Sequence, residues 1–353
     1  MKDLKNKPEI TITDVRVLPG DSAFLIDDGK TAILYDSGFA FTGCSIAENI
    51  KKILKERTLD YIFLTHSHYD HVLGVPSILA AYPEAKVVAG VYAAKVFAKA
   101  SVRATMESLD RKAALRQNVS AGNHSAEGLR VDIVVQDEDV ISCGSMEITV
   151  IALPGHTKCS VGYYLKDHKL LLGTETLGVY FGGDTYLPSF LVGYRLALDS
   201  FQRARSLDVE QMLLPHYGVV EKKEIETYLT CSEAVTMDTA QTILSLLRQG
   251  CAQQEILAYL QEKDYRYNVA PIYPLDAFLL NTGIMILQCV SCDAKDILLV
   301  CFGFMDLHIT VLLHLVWIDN AHRKSLILKL FQNRIMVVSG ILQKNSYRLV
   351  KLL

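Results

Sequence analysis

The sequence lacks an apolar run near its start. Residues 1–7 are polar and charged, and no hydrophobic stretch of leader length follows, so no secretory signal is expected. It lacks a charge excess. A net charge of −3 is too near neutral for nucleic-acid binding by bulk electrostatics, and no nucleic-acid partner is expected. It lacks a cysteine framework. Eight cysteines are scattered along 353 residues, and a core of this size needs no cross-links. Reduced thiols in a cytoplasmic protein are the simplest expectation. Cys289 and Cys292 form a C-x-x-C pair without the further close ligands that a zinc knuckle needs. There is no Ser nucleophile elbow and no phosphate-binding glycine loop.

Half of the residues, 50%, are hydrophobic, so a full core is expected and global disorder is not. Residues 9–37 alternate short β-rich runs with turns such as Leu18-Pro19-Gly20 and Asp27-Asp28-Gly29, the pattern of an antiparallel meander. Residues 45–56 place Ile46, Ile50, Ile53 and Leu54 on one side of a helix. Tyr61-Ile62-Phe63-Leu64 is wholly apolar, as expected of a strand buried on both faces. A helix over 75–82, a strand over 86–89 and helix over 91–117 follow. Strand signals return at 131–135, 146–151, 161–165 and 170–172, the last two joined by the hairpin turn Lys166-Asp167-His168-Lys169.

Two β-rich halves, each with helices, predict an α/β fold, an αββα sandwich. Residues 186–290 read as mainly helical around one short strand at 212–214, with helices at 222–248, 253–262 and 275–288. The expected organisation is a catalytic domain over 1–220, a helical C-terminal subdomain over 221–290 and an apolar tail over 291–353. That tail has no Pro and no Glu and is net basic. Its segment 297–318 approaches the ~20 residues that span a bilayer. Asp306 near its middle would cost roughly 3 kcal/mol there, with His308 and His314 adding to it, so a buried segment and no membrane partner is the expectation. A tail that is not a selected sequence is the other reading.

The chemistry gathers after the strand at 61–64, in His66-Ser67-His68-Tyr69-Asp70-His71. A single His or Asp is usually structural or solvated. Here three His and one Asp fall within six residues. Positions 66 and 68 alternate by two and can point the same way from an extended loop, while Asp70 and His71 turn to a neighbouring point. Burying so many titratable groups without metal is costly, so a metal site is the cheaper explanation. Pro154-Gly155-His156-Thr157, Glu175 and Pro215-His216-Tyr217-Gly218 each follow a β-run as well, where a rigid scaffold presents loop residues to one edge.

These residues, in this order, resemble the metallo-β-lactamase superfamily over about residues 10–220, with Asp36-Ser37-Gly38 resembling that family's early Asp-x-Gly turn. The resemblance implies one metal held by His66, His68 and His156, and a second held by Asp70, His71 and His216. The family's bridging carboxylate is an Asp, whose register falls here on Glu175. That is a departure, since Glu adds one methylene. Asp184, in Gly183-Asp184-Thr185, is the alternative bridge. Two divalent metal ions are implied, zinc first, with iron or manganese also used in the family. So is metal-assisted hydrolysis, in which a hydroxide between the metals attacks the substrate and Asp70 orients it.

The expected activity is hydrolysis of a small-molecule thioester, lactone or other ester. A phosphodiesterase of the same fold is the enzymatic rival, although 186–290 carries no basic cluster. A binding or regulatory protein that keeps the fold without turnover is the non-enzymatic one. The family's flavodiiron branch usually has Glu where this chain has His68, which weighs against an oxygen-handling iron protein. Tyr69, Tyr217, Tyr180, Phe181, Phe190 and Tyr194 are candidate pocket walls, with ordinary packing the more frequent outcome for such residues. His124, in a polar loop, reads as solvated.

Overall fold

Strands β1 (Thr11–Asp14), β2 (Phe24–Asp27), β3 (Ala32–Tyr35), β4 (Tyr61–Phe63), β5 (Lys86–Gly90) and β6 (Ile133–Val135) form a six-stranded sheet in that order. The first three strands are antiparallel, and β3 to β6 run parallel. The computed structural model describes residues 9–119, 125–266 and 268–290. The expectations for 291–353, His124 and Cys292 lie outside those residues.

The second half supplies β7 (Val140–Cys143), β8 (Met146–Ala152), β9 (Val161–Leu165), β10 (Leu170–Leu172), a small pair β11 (Val179–Tyr180) and β12 (Tyr186–Leu187), then β13 (Gln211–Leu214) and β14 (Gly218–Glu221). The second six-stranded sheet has the order β14-β13-β10-β9-β8-β7. Helices α1 (Gly43–Leu54), α2 (Tyr69–Val72), α3 (Val75–Ala81), α4 (Val91–Phe97) and α5 (Ala100–Arg116) belong to the first half. Helices α6 (Tyr194–Arg205), α7 (Lys222–Arg248) and α8 (Gln253–Asp264) belong to the second. Residues 275–290 are also helical.

Alternation within β3 explains the layering. Ile33 and Tyr35 face the second sheet, where they join Ile26, Phe63 and Val88 against Ile148, Val150, Tyr163 and Leu172. Leu34 points the other way and packs with Leu25, Ile62 and Val87 against Ile46 and Ile50 of α1 and Ile78 of α3. The second sheet repeats the scheme, with Ile151, Tyr164, Leu171 and Met212 against Phe201 of α6 and Ile225, Tyr228 and Leu229 of α7. Both faces of both sheets are thus covered, which gives the expected αββα sandwich. Each such fully buried side chain contributes about 1.5–3 kcal/mol. Beyond the sandwich, Phe190 and Leu191 pack with Ile243, Ile256, Leu260, Met285 and Ile286 in a separate helical core.

The structure departs from the periodicity in three places. The stretch 91–117 is two helices, because Lys99 is extended (φ −87°, ψ 116°). No Pro or Gly marks that break in the sequence. β7 carries exposed and half-exposed residues before its last position, so it has no apolar run to announce it. β14 is legible only as the return arm of a hairpin from β13, with Leu214 opposite Gly218.

β3, β4, β8, β10 and β13 all end at one edge of the sandwich, and their connections carry the chemistry-bearing residues. The two loops of the first sheet lock there: Ser37 N donates to His71 O at 2.8 Å and Gly74 N to Gly38 O at 3.1 Å. A Cβ on Gly74 would lie 1.8 Å from the Ser37 carbonyl oxygen. Gly74→Ala is therefore expected to destabilise the fold by about 3 kcal/mol, the upper end for overpacking against backbone. Chemical denaturation of the variant measures this.

Candidate metal centre

His66 leaves β4 two residues after Leu64, and His68 is the extended residue (φ −78°, ψ 147°) that starts the short helix α2, which carries Asp70 and His71. The strand thus ends, the chain bends at His66 and Ser67, and one helical turn after His68 brings in two more ligand positions. His156 follows β8 through Gly155, whose φ of +143° places its α-hydrogen against Ala197 and Thr176, where a Cβ would meet Ala197 Cα at 2.8 Å. Glu175 opens a 3-10 turn after β10, capped by Thr174, whose side chain accepts from Thr176 N. His216 is at the tip of the β13–β14 hairpin in the left-handed region, φ +62°.

Nitrogen and oxygen donors of these residues fall into three overlapping groups, each with ligand atoms within 4.8 Å of one another: His66, His68 and His156; His66, His71 and Glu175; Asp70, His71 and His216. His66, His68, Asp70, His71, His156, Glu175 and His216 are thus brought together. Asp184 is exposed and belongs to none of these groups among the described residues. Glu175 lies between the two histidine sets. Its Oε1 is 2.6 Å from His71 Nε2 and 3.0 Å from His216 Nε2, and its Oε2 is 3.6 Å from His66 Nδ1.

The donors fit a metal. His66 Nε2, His71 Nε2 and Glu175 Oε2 are buried without a hydrogen-bond partner, although His71 Nε2 is near Glu175 Oε1 outside hydrogen-bonding geometry. Unmet buried polar atoms cost about 1–3 kcal/mol each, and a cation that accepts their lone pairs removes that cost. His156 Nε2 and His68 Nδ1 converge to 2.9 Å, as two ligands of one ion do.

Electrostatics divide the set. Burial pushes His66 well below its ordinary value, and it lowers His68 to about 4 and His156 to about 3 despite the Glu175 carboxylate. These imidazoles are neutral near pH 7 and offer lone pairs. Burial would also lower His71, but Glu175, Asp36 and Asp70 overcome it and hold His71 well above its ordinary value. Burial would raise Glu175, but His71, His66 and His156 keep it well below the carboxylate range.

The outer nitrogens are held by residues whose role sequence reasoning did not identify. Asp36 is in the left-handed region at φ +55°. Its Oδ2 is 2.7 Å from His71 Nδ1 and accepts from Ser22 Oγ at 2.9 Å, while its Oδ1 accepts from Thr65 N at 2.9 Å and Thr65 Oγ1 at 3.0 Å. Thr65 Oγ1 is in turn 3.0 Å from His66 Nδ1. With the hydroxyl proton directed to Asp36, that oxygen accepts from His66 Nδ1–H and leaves Nε2 bare. Ser189 Oγ is 2.6 Å from His156 Nδ1, and the carbonyls of Gly20 and Asp21 are 3.0 and 3.2 Å from His216 Nδ1. The Asp36-Ser37-Gly38 motif was visible in the sequence, but its task was not. Ser189 carried no signal. Asp36→Asn is expected to weaken metal binding about 10–100-fold, the usual effect of losing such a partner, as measured by competition with a chromophoric chelator.

Comparison with known proteins bears on the family and the fold. The family model described as "Metallo-beta-lactamase superfamily" matches residues 19–216. A hydroxyacylglutathione hydrolase of Brucella anthropi is 30% identical over 158 residues, covering 42% of this chain and 47% of that protein. Glyoxylase B2 of Dictyostelium discoideum is 25% identical over 179 residues, covering 48% and 56%. The chain spans about half the length of these curated relatives. Among solved structures, a metallo-beta-lactamase family protein of Thermus thermophilus matches with a TM-score of 0.55 at 15% identity, covering 81% of this chain and 93% of that one. A sec-alkylsulfatase of Pseudomonas sp. matches with a TM-score of 0.56 at 13% identity, covering 80% and 49%. At such identities these two likenesses bear on the fold alone.

Proposed function

Because the chain belongs to the metallo-beta-lactamase superfamily, we propose that it is a dinuclear metal-dependent hydrolase of small-molecule carbonyl esters: thioesters, lactones or other esters. The observation that carries the reading is Glu175, whose carboxylate lies within 3.6 Å of His66, His71 and His216. A buried acid between two histidine sets is suited to bridging two cations. In this reading His66, His68 and His156 would hold one ion, Asp70, His71 and His216 would hold the other, and Glu175 would lend its carboxylate to the site between them. Zinc suits imidazole and carboxylate donors, as do iron and manganese. When bound, the ions supply a water acidified to near-neutral pKa and polarise the electrophile.

The chain's own residues do the rest. The burial of His66, His71, His156 and Glu175 keeps bulk water from one side. Asp70 and His216 have side chains 24% and 15% exposed, so substrate approaches over that edge. Asp70, the more open carboxylate, orients the attacking water by accepting its hydrogen. Tyr217 follows His216, is 38% exposed and packs on Tyr180 at 4.4 Å between centroids, with Tyr180 stacked on Tyr186 at 4.8 Å. This aromatic wall suits an apolar group on the substrate.

The relatives named hydroxyacylglutathione hydrolases make acylglutathiones the first substrates to try. No helix among the described residues is long and apolar enough to cross a membrane, and the substrate is proposed to be a diffusible small molecule. The test pairs metal analysis of protein purified without added metal with turnover of thioesters, lactones and p-nitrophenyl phosphodiesters. Two ions per chain and a preference for carbonyl substrates are expected. Preference for the phosphodiesters would move the assignment to that class. No ion and no gain on adding zinc, manganese or iron would remove the hydrolase reading.

A further inference from the structure

His216 is at a left-handed position, φ +62°. That conformation is uncommon for non-glycine residues, though His adopts it more readily than most, and contacts around the turn decide how firmly it is held. The surroundings here include Arg16. Arg16 comes just after β1, on the edge strand of the first sheet, while His216 turns between β13 and β14 at the edge of the second.

Arg16 is itself immobilised. Its backbone N and Nε donate to Asp14 Oδ1 at 3.0 and 2.9 Å, and Nη2 donates to Asp14 Oδ2 at 2.7 Å. The guanidinium lies over the Phe24 ring, 4.8 Å from its centroid, and the side chain is only 15% exposed. A planar fork held on one edge by a carboxylate and on one face by a ring has its remaining donors fixed in direction. Those donors meet the carbonyl of His216, through Nη1, and that of Tyr217, through Nη2 at 3.4 Å.

We infer that Arg16 is a positioning residue for the second metal site, fixing the His216 backbone so that the ring delivers Nε2 to Glu175. It acts through the His216 carbonyl and touches no reacting atom. Two anchors define the ring: the backbone, set by Arg16, and Nδ1, whose hydrogen is shared by the carbonyls of Gly20 and Asp21 at 3.0 and 3.2 Å. With both in place Nε2 stands 3.0 Å from Glu175 Oε1. Without Arg16 the hairpin tip relaxes from the left-handed region, and a rotation there swings the imidazole away from the pair. Lys at this position still donates to a carbonyl but cannot keep the fork on Asp14 at the same time.

The inference rests on the reading of His216 as a metal ligand, and its test separates the two. Full-length wild type, Arg16→Lys and Arg16→Ala are titrated with zinc alone against a competing chelator. The metal-free proteins are examined by 15N NMR of the histidine rings, with His216→Ala assigning the His216 signals. Arg16→Ala is expected to weaken the second binding step about 10–100-fold while the first stays unchanged, and Arg16→Lys to fall between. In metal-free wild type His216 is expected to give one sharp set of ring 15N signals from a single hydrogen-bonded environment, and in Arg16→Ala a shifted, exchange-broadened set. If Arg16→Ala fails to fold, Asp14→Asn loosens the fork with Arg16 in place and the same two readouts apply. Folded variants with an unchanged second step and unchanged His216 ring signals would overturn the inference. Should wild type take fewer than two ions, the dinuclear reading fails, and the NMR readout still decides the role of Arg16.

Discussion

Replacing Glu175 by Gln is expected to weaken metal binding by at least about 100-fold, more than the 10–100-fold that outer partners usually cost, and to destabilise the metal-free protein as well. The two effects share one cause. Glu175 is 4% exposed and is, among the described residues, the one carboxylate paired with His66, His71 and His216 together. In the dinuclear reading, removing its charge would weaken a donor to each ion. In the metal-free protein it also leaves His71, fully buried, with less to compensate a positive charge. Breaking a buried pair from one side costs about 3–5 kcal/mol. At roughly 2–4 °C per kcal/mol, that lowers the melting temperature by on the order of 10 °C.

The sign with pH follows from the two shifts. Glu175 is lowered, so its contribution is present above the ordinary carboxylate range and is lost as pH falls through the folded value. His71 is raised, so its contribution is complete below the ordinary imidazole value and is lost as pH rises through the folded one. The Gln variant should therefore differ most from wild type in mildly acidic, metal-free buffer. Calorimetry across pH 4 to 9 reads this, and equal melting temperatures throughout would refute the pairing. Glu175→Asp separates charge from length. It keeps the anion and retracts it by one methylene, so metal-free stability is largely kept, while affinity and metal preference change if the reach of Glu175 sets them.

Much of the sandwich was legible because its signals are local. Tyr61-Ile62-Phe63-Leu64 reads as a doubly buried strand, and it is one, with Ile62 facing one core and Phe63 the other. Residues 222–248 read as a helix by period and form α7 over the same span. The ligand set was legible for a different reason. Each residue follows a strand, and parallel or hairpin-related strands must bring those ends to one edge. What stayed hidden depends on contacts distant in sequence. Nothing near Ser189 announces that it holds His156, because the two meet only after the second sheet forms. Nothing near Arg16 announces His216, which lies on the other sheet. The break at Lys99 has no local breaker, so packing decides it. The register that favoured Glu175 over Asp184 gains physical content from burial: Glu175 is enclosed by histidines, whereas Asp184 is in an exposed turn.

Stripping metal with a chelator is expected to abolish turnover while leaving the secondary structure in place, and to lower the melting temperature by roughly 10 °C. The sandwich does not need the ions to form. Its three cores are built from strand and helix side chains such as Leu34, Tyr35 and Leu171, none of which is a donor. Far-ultraviolet circular dichroism should therefore scarcely change. The site itself is another matter. His66 Nε2, His71 Nε2 and Glu175 Oε2 have no hydrogen-bond partner, and His71 and Glu175 confront one another as a buried charged pair. Metal binds the folded arrangement and not the unfolded chain, so at a thousandfold excess over Kd one site contributes about 4 kcal/mol to stability. At roughly 2–4 °C per kcal/mol, that is on the order of 10 °C. In the hydrolase reading turnover depends on the ions directly, since they would supply the activated water, and residual rates below about 1% are expected from the role a metal takes in such hydrolysis. Adding back zinc, manganese and iron one at a time should restore both properties together, and their order ranks the metals. A melting curve unmoved both by chelation and by adding zinc, manganese or iron would mean that the histidines and Glu175 are a structural network. The bare nitrogens of His66 and His71 would then need another partner.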